Sequence, residues 1–218
     1  MKATLRRRTG WRLPLLGAAL VLVGGCAAGQ EAPPSAPDRA AVSIATASPP
    51  PGATGMPERA EGVLAVPEQA SNAFTYNPAV APPGARVVAE VNRSWPTHVR
   101  LEVAGLLPNR GYAAHAHVNA CGPTGDAAGP HFQKQVDPAA GPGRPSTDPA
   151  YANPRNEIWL DLRTDDSGAA ESTATVPFTF TDRAPASVII HEAEKTGTAP
   201  GQAGSAGARL ACLDVAFT

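Results

Sequence analysis

Polar and apolar residues alternate most cleanly from His98 to Gly105, where Val99, Leu101 and Val103 fall on one side and His98, Arg100 and Glu102 on the other. A period of two marks a strand with one face in a core and the other in water. Short runs of strand character recur at Ala73 to Tyr76, Arg86 to Val91, Tyr112 to Val118, Glu157 to Arg163, Ala170 to Phe178, Ala186 to His191 and Arg209 to Phe217. In the run from Glu157, the residues Ile158, Leu160 and Leu162 share one face, and Glu157, Trp159 and Asp161 share the other. Turn residues separate the runs, as in Asp165-Asp166-Ser167-Gly168. Helical periodicity is nearly absent beyond the N-terminal segment. The expected fold is all-β, a sandwich or barrel with long loops, the longest running from Gly122 to Asn156.

The first 72 residues have a different pattern. Residues 1–25 carry Lys2, Arg6, Arg7, Arg8 and Arg12 and no acid, followed by an apolar run from Leu13 to Val23. That order reads as a secretory signal, and the apolar run is too short to span a bilayer comfortably. Leu22-Val23-Gly24-Gly25-Cys26 resembles a bacterial lipobox. The resemblance implies that Cys26 becomes the lipid-bearing first residue and holds the chain at the extracytoplasmic face of a membrane. Residues 26–72 are rich in Pro, Ala and Ser and read as a disordered tether, within which Gly62 to Val66 is a candidate for pairing with a sheet edge. The folded domain is expected over 73–218.

Loss of residues 1–25 removes five of the 18 basic residues and leaves 19 acidic ones. The resulting acidic balance gives no support for nucleic-acid binding. Of the three cysteines, Cys26 is taken by the lipid, so Cys121 and Cys212 remain as a pair in an oxidising compartment. A disulfide between them closes a loop of about 90 residues, worth on the order of 4–5 kcal/mol in the chain-entropy model.

The chemistry of the chain centres on histidine. There are five: His98, His115, His117, His131 and His191. His115 and His117 stand two apart, so a strand aims both imidazoles to one face while Ala114, Ala116 and Val118 face the other. Two buried imidazoles side by side call for a shared partner, and a metal ion is the commonest one. His131 follows in Gly-Pro-His-Phe, and His191 ends the apolar run Ser187-Val188-Ile189-Ile190. His98 lies on the polar side of its strand and is read as a bystander.

Four blocks, H-A-H at 115–117, G-P-H-F at 129–132, V-I-I-H-E at 188–192 and G-S-A-G-A-R-L-A-C at 204–212, stand in the order of the copper/zinc superoxide dismutase family. The chain resembles that family over residues 73–218. The resemblance implies a Greek-key β-barrel, a copper ion held by His115, His117, His131 and His191, and a proton-handling role for the bridging His131. It also implies Cys121–Cys212 as the family disulfide and Arg209 as the guide for superoxide. One departure is plain. Residues 132–190 contain no histidine, and the family's zinc-binding segment is replaced by Asn153-Pro154-Arg155-Asn156-Glu157-Ile158-Trp159-Leu160-Asp161. A zinc site is therefore expected to be absent, with Glu157, or second Asp161, holding the free nitrogen of His131 in its place. The activity implied is copper-dependent dismutation of superoxide outside the cytoplasm. The alternative is a copper storage or delivery module with little turnover. Arg209 favours the enzyme, since copper capture alone needs no anion guide.

Overall fold

The computed structural model describes residues 57–141 and 143–218. In chain order the strands are β1 (Glu58–Val63), β2 (Ala73–Thr75), β3 (Arg86–Asn92), β4 (Thr97–Ala104), β5 (Gly111–Tyr112), β6 (Ala114–His117), β7 (Leu162–Arg163), β8 (Ala170–Val176), β9 (Ser187–His191) and β10 (Arg209–Asp214). A 3₁₀ turn, Gly125–Ala128, interrupts the loop after β6. The all-β expectation holds, and all the sheet pairing is antiparallel.

Two four-stranded sheets carry the structure, in the orders β1-β3-β4-β8 and β2-β10-β9-β6, with β5 and β7 as a separate two-stranded pair. The core lies between the sheets. Val87, Ala89, Val91, Val99, Leu101 and Val103 meet Ala114, Ala116, Val188, Ile190, Ala211 and Leu213 in one cluster. Burying such aliphatic side chains stabilises the fold by about 1.5–3 kcal/mol each for the larger ones.

The first sheet behaves as its sequence pattern demands. β4 alternates strictly between buried and more exposed positions, and β8 alternates between half-buried and exposed ones until the buried Val176 at its end. Its outer face is a ladder of charges in which Arg59, Arg86 and Arg100 pair with Glu61, Glu90, Glu102 and Glu171. His98 is exposed on this face and bonded through Nδ1 to the Thr175 hydroxyl, away from the other histidines.

β1 falls within the stretch expected to be tether. It pairs with β3 along its whole length, from Glu58 opposite Val91 to Val63 opposite Arg86. Among the described residues, sheet-forming chain thus begins at Glu58 rather than at residue 73. Alternation in Glu58-Arg59-Ala60-Glu61-Gly62-Val63 is masked by small residues, and charge pairs with β3 take the place of an apolar face. Cys26, the expected signal and residues 26–56 of the expected tether lie outside the described residues.

The second sheet is buried on both faces. Every residue of β2, β6 and β9 is buried. Its outer face is covered by the loop from Val118 to Asn156. There Phe74, Ile189 and Cys212 form a second small cluster with Ala128, with Cys121 packed against it. The Cys121–Cys212 disulfide forms, with Cα atoms 5.8 Å apart, and joins this loop to β10. The expected strand 112–118 is broken at Ala113, whose N–H bonds to the Ala193 carbonyl while its neighbours change partner from β7 to β9. The expected strand 157–163 is regular only at β7. Its earlier part lies along β6 through single bonds, Ala116 N–H to Ile158 O and Leu160 N–H to Ala114 O.

Candidate metal centre

β6 places its side chains as the two-residue period requires. Ala114 and Ala116 enter the core between the sheets, while His115 and His117 face outward beneath the loops and are fully buried. β9 delivers His191 at its C-terminal end, where its register partner is Arg209. His131 is brought in by a bridge to His117. The four imidazoles converge so that one ligand atom from each lies within 4.8 Å of the others. That span approaches the ~4 Å separating opposite nitrogens around one ion at about 2 Å.

Hydrogen bonding decides which nitrogen each ring offers. His117 Nδ1 lies 2.8 Å from the Gly129 carbonyl and His191 Nδ1 lies 3.4 Å from the Gly207 carbonyl. A carbonyl only accepts, so each Nδ1 carries its proton and each Nε2 keeps a lone pair. His131 Nδ1 lies 3.0 Å from Glu157 Oε2, which accepts in the same way. In His115 the roles are reversed. Its Nε2 lies 2.7 Å from the Thr196 hydroxyl, which itself donates to Asp161 Oδ1 at 2.6 Å. The hydroxyl proton is thereby committed, the ring donates from Nε2, and Nδ1 keeps the lone pair. That Nδ1 is buried and has no protein partner.

The result is a pocket of lone pairs. His117 Nε2 and His191 Nε2 sit 3.3 Å apart with both protons turned away. The His115 and His131 ring centres are 4.0 Å apart. Burial, and then the neighbouring imidazoles, push His115 and His117 well below the ordinary histidine range, and burial likewise takes His191 down to about 3. Neutral, fixed, converging imidazoles are the donor set of a divalent transition metal, and four nitrogens in this arrangement fit copper.

Glu157 is 1% exposed and accepts from three donors: His131 Nδ1, Gln133 Nε2 at 2.7 Å and Trp159 Nε1 at 2.7 Å. The carboxylate therefore occupies the outer nitrogen of His131, as the first of the two sequence candidates was expected to do. The second, Asp161, does not reach His131. Four residues of extended chain carry it about 13 Å further along, and it serves His115 through Thr196 instead. Gln133, Trp159 and Thr196 were not singled out from the sequence. Gln133 and Trp159 each stand two residues from a residue that was, which is the only signal they carry.

Arg209 is half-buried at the start of β10. It donates to the Gly125 and Gly129 carbonyls, both at 2.7 Å. Gly129 is thus shared between Arg209 and His117. Its φ is +69°, and a Cβ there would come within 2.8 Å of Asn119 and Val118, so glycine is required.

These features define an all-β domain with a preformed cluster of four imidazoles under its loops that could hold a metal ion. No protein-family model matches the chain, and no curated protein matches it. Solved structures with a similar backbone include the Cu/Zn superoxide dismutase from Brucella abortus, at 18% identity, 66% of this chain, 97% of that chain and a TM-score of 0.47. They also include a double mutant of a SOD-like protein from Bacillus subtilis, at 15% identity, 73% of this chain, 95% of that chain and a TM-score of 0.47.

Proposed function

We propose that this chain is a copper-dependent superoxide dismutase that works outside the cytoplasm without a zinc ion. The observation that carries the reading is the set of four inward lone pairs, each fixed by a bond at the ring's other nitrogen. Copper supplies the redox chemistry, in which one superoxide is oxidised to oxygen and a second, with two protons, is reduced to hydrogen peroxide. His115, His117, His131 and His191 would hold the ion. Arg209, a permanent cation lining the same cavity as His131 and His191, draws and orients the anion. Glu157 keeps the proton of His131 on Nδ1, so that Nε2 is the atom that meets the metal or takes up a proton. The carboxylate at Nδ1 supports a centre without a second metal on His131.

The N-terminal segment supports an anchored location, with Cys26 as the lipid carrier. Labelled palmitate entering the wild-type chain and not Cys26→Ala checks this.

Copper-reconstituted protein, assayed for metal content and dismutation in one sample, tests the function. One copper, no zinc and rapid dismutation is the expected result. Copper bound without dismutation transfers the assignment to copper storage or delivery, and failure to bind copper contradicts both.

A further inference from the structure

Beside His131 and His191 lies a cavity of about 470 Å³. A diatomic anion needs little more than the ~30 Å³ of one water. The cavity instead falls in the ~300–1,000 Å³ range of small-molecule sites. Its walls are largely apolar, with Val118, Val136, Pro145 and Ala206 among them. Val136 is 53% exposed, high for a large aliphatic side chain.

Three guanidinium groups share the lining: Arg144, Arg183 and Arg209. None is neutralised closely. Arg209 spends its donors on two carbonyls, and Asp126 stands 4.0 Å away with its side chain almost wholly in solvent. Arg183 donates to the Gln133 carbonyl and lies 5.2 Å above the Phe132 ring. Among the described residues no carboxylate lies within ion-pair distance of Arg144. Asp137 is near enough to feel its charge, but accepts from Ser146 and the Ala139 N–H. The one carboxylate in the lining, Glu157, is committed to His131, Gln133 and Trp159.

We propose that this cavity is a binding site for a small organic monoanion with an apolar body, an aromatic carboxylate being the simplest case. The apolar walls exceed what an inorganic anion can use, and the weakly neutralised cations disfavour a neutral or cationic guest. The site stands on the chain's own side chains and needs no metal.

Calorimetric titration of both metal-free and copper-loaded protein with benzoate, acetate and benzyl alcohol tests it. Benzoate is expected to bind both forms, with acetate and benzyl alcohol each about tenfold weaker or worse. Arg144→Gln combined with Arg183→Gln, and separately Val136→Asp, are expected to weaken benzoate by about tenfold. All three positions are exposed, so an unchanged melting temperature shows the fold intact. Benzoate binding no tighter than acetate or benzyl alcohol, or unaffected by the double variant, overturns the proposal. A chain that takes no copper defeats the dismutase reading and leaves the metal-free titration to decide this one.

Discussion

The two four-stranded sheets meet across one core and differ in everything else. The β1-β3-β4-β8 sheet has longer strands, alternation that is strict in β4, and a solvated face of paired charges. The β2-β10-β9-β6 sheet has shorter strands, burial on both faces and a register shift between Arg209 and Ala211. Outside the core, the first presents side chains that water tolerates. The second keeps four imidazoles, a disulfide and a glutamate away from water, and each buried polar group there needs a named partner. Both sheets share the core, and the chemistry sits in the enclosed one.

The largest expected effect that separates them is acid sensitivity of the metal-free protein. Unfolded histidine takes a proton near pH 6.5, whereas His115 and His117 resist until far lower and His191 until about 3. Stability is thus fully present above pH 6.5 and lost as pH falls from there toward 3. The loss runs at up to about 1.4 kcal/mol per pH unit for each such histidine. Denaturant titrations from pH 7 to 4 should show it, and His191→Asn should flatten the slope. A flat wild-type profile would mean that these rings already carry protons in the fold.

Cys212→Ser comes next. Opening a loop that closes over 91 residues costs about 4–5 kcal/mol. Thermal denaturation under non-reducing conditions checks it.

Thr196→Val comes third. It removes the acceptor for His115 Nε2 and frees the ring to choose the other tautomer. Copper affinity should fall about 10–100-fold, with recovery in Thr196→Ser. Competition against a chelator gives the number, and equal affinity in the valine variant would strip Thr196 of its positioning role.

The smallest effect belongs to the regular sheet. Glu171→Gln breaks the ion pair with Arg100 on an open surface. The change in melting temperature should be minor and disappear at about 1 M salt, because exposed charges are screened.

The same contrast explains what could be read before the structure. Where one face meets water, as in His98 to Gly105, alternation is visible and β4 was legible nearly to the residue. Where both faces are buried, the pattern is erased, and β6 was found through His115 and His117. The four histidines, Cys121, Cys212 and Glu157 were legible because few residue types carry metal, disulfide or carboxylate chemistry. Thr196 and Gln133 were not, since a hydroxyl or an amide acquires meaning only from what it faces. β1 was legible only at its end, where Gly62 and Val63 fall in the stretch expected to pair with a sheet edge; the rest was hidden by a proline-rich neighbourhood and a partner more than 20 residues away in the chain.

Copper K-edge X-ray absorption on the reconstituted oxidised protein tests the centre most directly. Four imidazole nitrogens at about 2 Å and no second metal nearby is the expected shell. A shell with carboxylate oxygen or thiolate sulfur in place of imidazole, or with two or fewer histidine nitrogens, would contradict it.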